Sequence, residues 1–269
     1  MPNVSRWIDA HCHLADSRLD QYRAALVEQC RTIGITRLIQ GGVDPDDWDR
    51  QLNVRADFGD LIVPVFGAYP IWAGTAEDAV FSAAMLKLEQ LLPHARALGE
   101  VGLDFRGPHD SGIRERQSRA FEKQLAIAAG AGFPIILHVV HAHPEALRIL
   151  RKAKFKEGGI LHGYTGHLEQ AKEYIDLGFA VSAGCGILRG TGHALRSAMT
   201  AIPSDFLVIE SDAPDQPPPL HLRKAGAMGD LHGPASILVV ASEIAELRSS
   251  TPEEVLDRSS ANLRRIFRL

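Results

Sequence analysis

The feature that most constrains the fold of this chain is a regular alternation of short apolar segments with longer amphipathic ones. Short runs such as 135–137 (IIL) and 207–209 (LVI) are typical of parallel strands buried on both faces. We predict strands over 7–12, 36–40, 61–68, 98–103, 134–139, 159–163, 179–183 and 206–210. We predict the intervening helices over 19–32, 45–56, 76–92, 114–129, 144–153, 168–177, 191–201 and 234–247.

Eight strand–helix units in 269 residues favour a TIM (β/α)8 barrel, which needs about 250 residues, over an open doubly wound sheet. A capping-box pattern at 251–254 predicts an extra C-terminal helix that runs to about Phe267. No linker or low-complexity tract interrupts the sequence, so we expect a single domain over residues 1–269. The Pro- and Gly-rich stretch 213–233 follows the last strand, and we expect it to lie over the barrel mouth.

Composition restricts the function classes. The net charge of -4 argues against a protein that coats nucleic acid through bulk positive charge. Three irregularly spaced cysteines, Cys12, Cys30 and Cys185, predict a reducing compartment without a disulfide framework. The N-terminal residues lack the apolar stretch of a secretory signal, and no run reaches the roughly 20 apolar residues of a membrane span. We expect a cytoplasmic protein without membrane association, and we expect it to be a monomer.

The first predicted strand carries two histidines two residues apart. Because strand side chains alternate between faces, Asp9, His11 and His13 should point one way and Cys12 the other. Two imidazoles at one strand end can converge on a divalent ion. We predict that Cys12 is a small core residue, and that Asp9 orients a ligand or closes a turn.

Four more residues of metal-ligand type lie at later strand ends, where barrel enzymes place their chemistry. They are Glu100 in strand four, His138 at the end of strand five, His162 at the end of strand six and Asp212 after strand eight. Six ligands exceed what one catalytic ion with an open position needs. We therefore predict two divalent ions, zinc, manganese or magnesium, about 3.5–4 Å apart. We predict that Glu100 bridges them and that Asp212 is both a ligand and the general base.

Three of these residues also have a structural alternative when each is taken alone. His138 could be a core histidine, Glu100 a carboxylate paired with an arginine, and Asp212 a turn former. The shared position of all six at one end of the predicted barrel favours the metal site.

Five motifs lie at predicted strand ends: 8–14 (IDAHCHL), 99–104 (GEVGLD), 134–138 (PIILH), 162–166 (HGYTG) and 210–214 (ESDAP). With these motifs the sequence resembles the TatD family of metal-dependent hydrolases, within the amidohydrolase superfamily, over nearly its whole length. The resemblance implies that His11, His13, Glu100, His138, His162 and Asp212 bind one to three divalent ions. It also implies a magnesium-, manganese- or zinc-dependent deoxyribonuclease, often a 3′–5′ exonuclease on single-stranded DNA and in some members active on RNA. Many other amidohydrolases carry a carboxylated lysine where this family has the strand-four glutamate.

Three departures from the family pattern affect expected substrate contacts rather than metal ligands. Residues 230–234 (DLHGP) stand where the family usually has an asparagine- or arginine-containing turn before proline. The family commonly has Gly-x-His-Pro after strand three, and this chain has Tyr69 in place of that histidine. The family often has an arginine two residues after the strand-five histidine, and this chain has Val140.

We therefore expect hydrolysis of phosphodiester bonds in single-stranded DNA, by water that the metal ions activate. The alternatives are a metal-dependent amide, ester or lactone hydrolase of small molecules, which the acidic net charge favours, and a non-catalytic scaffold, which the intact ligand set disfavours. The predicted substrate contacts are Tyr69, Trp72, Tyr164 and Arg189. Further candidates on predicted loops at the mouth are Arg106, His141, His143, His221, Arg223 and Lys224.

Overall fold

A computed structural model describes residues 7–107, 110–190, 192–222 and 231–269. In this part of the chain, strands and helices alternate as the sequence predicts. The strands are β1 (Trp7–Cys12), β2 (Ile35–Gln40), β3 (Ile62–Val63), β4 (Leu98–Asp104), β5 (Ile135–Val140), β6 (Gly159–Leu161), β7 (Phe179–Ala183) and β8 (Leu207–Ile209). All pair in parallel, in the orders β1–β2–β3 and β4–β5–β6–β7–β8.

Helices connect successive strands, and additional helices precede β4 and follow β8. They are α1 (Arg23–Ile33), α2 (Pro45–Phe58), α3 (Pro70–Thr75), α4 (Asp78–Leu91), α5 (Ser111–Ala131), α6 (His143–Ala153), α7 (Leu168–Ile175), α8 (His193–Ala201), α9 (Ile237–Arg248) and α10 (Pro252–Phe267). The predicted capping box at the start of α10 is confirmed: the Thr251 side chain accepts from the Glu254 N–H, and the Glu254 side chain accepts from the Thr251 N–H.

Backbone contacts link the two groups of strands at both junctions. Phe66, beyond β3, forms a parallel bridge with Leu98 of β4. Beyond β8, the N–H of Asp212 donates to the carbonyl of His11 at 2.9 Å, and the N–H of His13 donates to the carbonyl of Ala213 at 2.7 Å. The sequential strand order and these junctions give the predicted TIM (β/α)8 architecture.

The bottom of the barrel is filled by apolar side chains. Leu263 and Phe267 of α10 belong to a cluster that also contains barrel residues such as Ile8 and Val208. Ser260 of α10 accepts a hydrogen bond from the N–H of Ile8, near the amino end of β1. Because α10 and apolar side chains fill this end, we expect the functional polar residues at the opposite, carboxyl end of the strands.

Strand three differs most from its prediction. The predicted strand 61–68 is wrong in length, because the regular ladder covers only Ile62–Val63. Pro64 has no N–H to donate to a neighbouring strand. Beyond it, the side-chain oxygen of Gln51 accepts from the N–H of Val65, and that of Gln124 accepts from the N–H of Ala68.

The short helix α3 was not predicted; it begins at Pro70, a residue suited to the first helical turn. None of the described helices combines the length and apolar character needed to cross a membrane.

Candidate metal centre

His11 and His13 lie side by side at the carboxyl end of β1, as the strand periodicity predicts. Their ring centroids are 4.8 Å apart with the planes nearly perpendicular. Nδ1 of His13 lies 3.2 Å from the carbonyl oxygen of Gly41, which leaves Nε2 facing the site. A Cβ at Gly41 would overlap both imidazole rings, so this position requires glycine.

Glu100 lies between two pairs of histidines, and each of its oxygens faces one pair. Oε2 is 3.5 Å from Nε2 of His11 and 3.5 Å from Nε2 of His13. Oε1 is 2.5 Å from Nδ1 of His138 and 2.8 Å from Nε2 of His162. A carboxylate in this arrangement can bridge two cations.

Asp212 completes the side of the site that His11 and His13 occupy. Its Oδ1 lies 3.5 Å from Nε2 of His11 and 3.7 Å from Nε2 of His13. Its other oxygen, Oδ2, accepts a 2.7 Å hydrogen bond from Nε2 of Gln216. The backbone of Asp212 has φ 55°, in the left-handed region, where its N–H donates to the carbonyl of His11.

The donor atoms fit divalent cations. Among the described residues, three sets have donor atoms that all lie within 4.8 Å of one another. They are His11, His13 and Glu100; His11, His162 and Asp212; and Glu100, His138 and His162. The two sets that share Glu100 use different oxygens of that residue, and each set could hold a metal ion. Both ring nitrogens of His11 are buried without a hydrogen-bond partner, and Nε2 faces two carboxylates, which suits a neutral imidazole ligand.

The charges within the cluster are interdependent. Burial disfavours the ionised form of Glu100, but the charges of His162 and His138 outweigh burial and hold the pKa of Glu100 well below its ordinary value. Burial also disfavours charged imidazoles, but Glu100 outweighs it and raises the pKa of His13 to about 9 and that of His162 to about 10. Burial, aided by the charge of His162, instead lowers the pKa of His11 to about 4.

Asp9 lies beneath the site rather than among these ligand sets. Its carboxylate accepts from the hydroxyl of Ser211 at 2.5 Å, the N–H of Ser211 at 2.9 Å and the N–H of His11 at 3.3 Å. These bonds tie the end of β1 to the segment after β8, and burial raises the pKa of Asp9 to about 8. Cys12 is fully buried in the hydrophobic core, as predicted.

The sequence analysis assigned no role to three polar residues that lie near the ligands. Asp104 lies 3.1 Å from Nε2 of His138, Gln216 holds Asp212, and Glu210 lies 3.9 Å from Nδ1 of His162. Strand periodicity contains a signal for Asp104, which is four residues after Glu100 on the same face of β4.

The predicted substrate contacts lie around the mouth at different depths. Tyr69 and Trp72 are half-buried, and Arg189 is exposed after β7. Tyr164 is buried, and its hydroxyl donates to the carbonyl of His167 at 2.5 Å. Their contact with substrate stays a prediction.

The further candidates also differ in exposure. Arg106 is exposed and paired with Asp104, whereas His143 is half-buried with Nδ1 3.0 Å from the Tyr174 hydroxyl. His141 and His221 are exposed. The candidates Arg223 and Lys224 lie outside the described residues. So do residues 223–230 of the stretch 213–233 that the sequence predicts over the barrel mouth.

Comparison with known proteins agrees with the geometry. The model of the family described as TatD related DNase matches residues 8–268. An uncharacterized metal-dependent hydrolase of Bacillus subtilis, YabD, is 28% identical over 97% of this chain and 98% of its own. A 3′-5′ ssDNA/RNA exonuclease TatD of Musicola paradisiaca is 29% identical over 97% of each chain. The crystal structure of YjjV, a TatD homologue from Escherichia coli, superposes with a TM-score of 0.87 at 25% identity, covering 99% of both chains. The chain therefore belongs to the TatD family of metal-dependent hydrolases.

Proposed function

We propose that this protein is a nuclease that hydrolyses phosphodiester bonds of single-stranded nucleic acid, with single-stranded DNA as the first candidate and RNA as the second. The observation that carries the proposal is the position of Glu100, whose two oxygens face separate histidine pairs. Paired ion positions about 3.5–4 Å apart are typical of enzymes that cleave phosphate esters. The relative named a 3′-5′ ssDNA/RNA exonuclease supports a 3′–5′ exonuclease.

The six ligands divide between two ion positions. His11, His13 and Asp212 would hold one ion, His138 and His162 the other, and Glu100 would bridge them. Divalent ions bound there would lower the pKa of a bound water and neutralise negative charge on a phosphoryl group. Neutral imidazoles and carboxylates suit zinc and manganese, and the carboxylates also suit magnesium.

Asp212 is the proposed general base. Its Oδ1 faces His11 and His13, and Gln216 fixes the orientation of the carboxylate through a hydrogen bond to Oδ2. In this role Asp212 orients the attacking water and accepts its proton. General-base catalysis by a positioned carboxylate contributes about 10²–10⁴-fold to a rate.

The proposed substrate contacts supply stacking and charge at the mouth. Trp72, half-buried in α3, would stack on a base, which is worth about 1–3 kcal/mol. Arg189 would contact the phosphate backbone, and Tyr69 and Tyr164 would line the approach to the ions.

A metal-dependent amide, ester or lactone hydrolase of small molecules is the second candidate. Two arginines near the mouth are already paired with carboxylates of this chain, which reduces the positive charge offered to a polyanion. Arg106 pairs with Asp104, and Arg18 pairs with Asp16 and with Asp215.

Product analysis distinguishes the two candidates. Manganese-loaded protein is incubated with single-stranded DNA labelled at either end, and with carboxyl-ester and lactone substrates. The nuclease proposal expects stepwise release of nucleotides from the 3′ end, lost in Asp212→Asn and kept in Asp57→Asn, an exposed aspartate of α2. Turnover of esters or lactones without nucleotide release would favour the second candidate.

We also propose that residues 1–269 form a single domain that acts as a monomer in the cytoplasm. The three free cysteines, Cys12, Cys30 and Cys185, are all buried, which is compatible with a reducing compartment.

A further inference from the structure

Behind one of the proposed metal ligands lies a second carboxylate, that of Asp104. Its Oδ2 lies 3.1 Å from Nε2 of His138, while Nδ1 of the same ring faces Glu100 and His162. The two nitrogens of His138 therefore have separate partners. One faces the ion positions, and the other faces a fully buried aspartate at the end of β4.

Asp104 is itself held by several neighbouring groups. Arg106 donates to it from the backbone N–H at 3.0 Å, from Nε at 2.9 and 3.0 Å, and from Nη2. The hydroxyl of Tyr69 donates to Oδ2 at 3.2 Å, and the ring of Tyr69 packs edge-on against His138 at 4.9 Å between centroids. The side chain of Gln117 binds both the N–H and the carbonyl of Asp104, at 2.9 and 3.0 Å. Asp104 therefore has little freedom to leave His138.

The paired arginine fixes the chemical role of this carboxylate. Arg106 is always charged and has only donors, so its pairing keeps Asp104 ionised and able only to accept hydrogen bonds. His138 must then present Nε2–H to Asp104, which leaves the lone pair of Nδ1 directed at the ion position. A metal-bound histidine whose other nitrogen donates to a carboxylate is a better and more rigid ligand.

We propose that Asp104 is a positioning residue that selects the Nδ1-ligating tautomer of His138 and thereby sets the affinity of one of the two ion positions. This inference rests on the proposed function, since it assumes that the cluster binds ions. Arg106, whose side chain is 58% exposed, takes part by holding Asp104 ionised and in place. The position formed by His11, His13 and Asp212 does not depend on this contact.

Asp104→Asn is the informative substitution because it keeps the size of the side chain. The amide oxygen carries no charge, so it accepts from Nε2–H of His138 less strongly than the carboxylate does. The Nδ1-ligating tautomer of His138 would then be favoured less, and a proton on Nδ1 blocks ion binding. The matched control is Asp60→Asn, which removes a surface carboxylate paired with Arg55 at 2.8 Å, distant from the ligands in sequence.

The test is calorimetric titration of metal-free protein with Co²⁺, followed also by visible absorption. The parent should bind two ions, and Asp60→Asn should bind both of them with the affinities of the parent. Asp104→Asn should weaken one binding event by about 10–100-fold and leave the other unchanged. In a His138→Ala background, Asp104→Asn should have no further effect on ion binding, because Asp104 acts on the ion position only through the ring of His138.

Arg106→Gln is a second variant in case Asp104→Asn does not fold, since it alters an exposed side chain. It should weaken the same binding event by a smaller factor, again only when His138 is present. The proposal is overturned if two ions bind to the parent and neither variant changes either affinity. It is equally overturned if both events weaken together, or if the effect persists without His138. A parent protein that binds no Co²⁺ would overturn the proposed metal site as well.

Discussion

Gln216 holds one oxygen of the Asp212 carboxylate, since Nε2 of Gln216 donates a 2.7 Å hydrogen bond to Oδ2 of Asp212. The other oxygen of Asp212 is thereby directed at His11 and His13. Gln216 follows Asp212 by four residues in a stretch that includes Pro214, and both residues have positive φ. The loop after β8 therefore contains both the proposed base and the group that orients it.

The contact between Gln216 and Asp212 predicts a defect in turnover. Gln216→Leu keeps a similar volume and removes the donor. A hydrogen bond to a charged group contributes about 1.5–3 kcal/mol, so kcat should fall by about 10–100-fold with a smaller change in KM. Steady-state kinetics on the preferred substrate measures this effect. The control is Gln90→Leu, at an exposed residue of α4, and an unchanged kcat in Gln216→Leu would contradict the orienting role.

The bridging position of Glu100 predicts the loss of both ions when its charge is removed. Glu100→Gln or Glu100→Ala should abolish turnover, since each proposed ion position loses a carboxylate oxygen. The barrel should still fold, because its strands and apolar core do not depend on this side chain. Elemental analysis of purified protein measures the loss of metal, and circular dichroism checks that the barrel folds. The control is Glu89→Gln on α4. Full metal content in Glu100→Gln would exclude a bridge.

Metal binding should release protons near neutral pH. The raised pKa values of His13, about 9, and His162, about 10, mean that both rings are protonated in the metal-free protein at pH 7. An ion must displace these protons, so its apparent affinity should rise with pH until about pH 9–10.

Calorimetry in buffers that differ in their ionisation enthalpy counts the released protons. We expect about two per protein at pH 7, decreasing above pH 9. Heats that do not depend on the buffer would show that His13 and His162 are neutral before the ion binds.

Asp9 predicts that the metal-free protein loses stability as the pH rises. Burial raises the pKa of Asp9 from 3.8 to about 8, so the folded state favours the protonated carboxyl. A raised folded-state pKa contributes stability that is fully present below pH 3.8 and is lost as the pH rises through about 8.

Urea unfolding of Asp9→Asn against the parent measures this contribution. The free energy of unfolding of the variant should fall less between pH 5 and pH 8, since asparagine cannot ionise. Asp57→Asn, which changes an exposed residue of α2, should follow the parent across this range. A variant with the same pH dependence as the parent would show that Asp9 does not control it.

Much of the architecture could be predicted from the sequence because its signals are local. The alternation of apolar strands with amphipathic helices gives the barrel, and the Thr251–Glu254 pattern gives the start of α10. Period-two alternation placed His11 and His13 on one face and Cys12 in the core. The prediction that Glu100, His138, His162 and Asp212 lie close together rested on their positions at the ends of predicted strands, which are also a local signal.

The departures from prediction come from contacts between distant residues. Beyond Pro64, the N–H groups of Val65 and Ala68 bond to Gln51 and Gln124, which are 14 and 56 residues away, so strand three ends early. Asp104 meets His138 across 34 residues. No local pattern reports such pairs, because they depend on how helices and strands pack.

The sequence by itself determined which chemical groups stand at the carboxyl ends of the strands, since periodicity and strand order follow from local preferences and apolar patterning. Only the tertiary structure decided which atoms of those groups face one another. Strand register and side-chain packing set which oxygen of Glu100 faces each histidine pair and which nitrogen of His138 faces Asp104. Those choices depend on distances of a few ångströms across the barrel, which the order of residues along a chain does not specify.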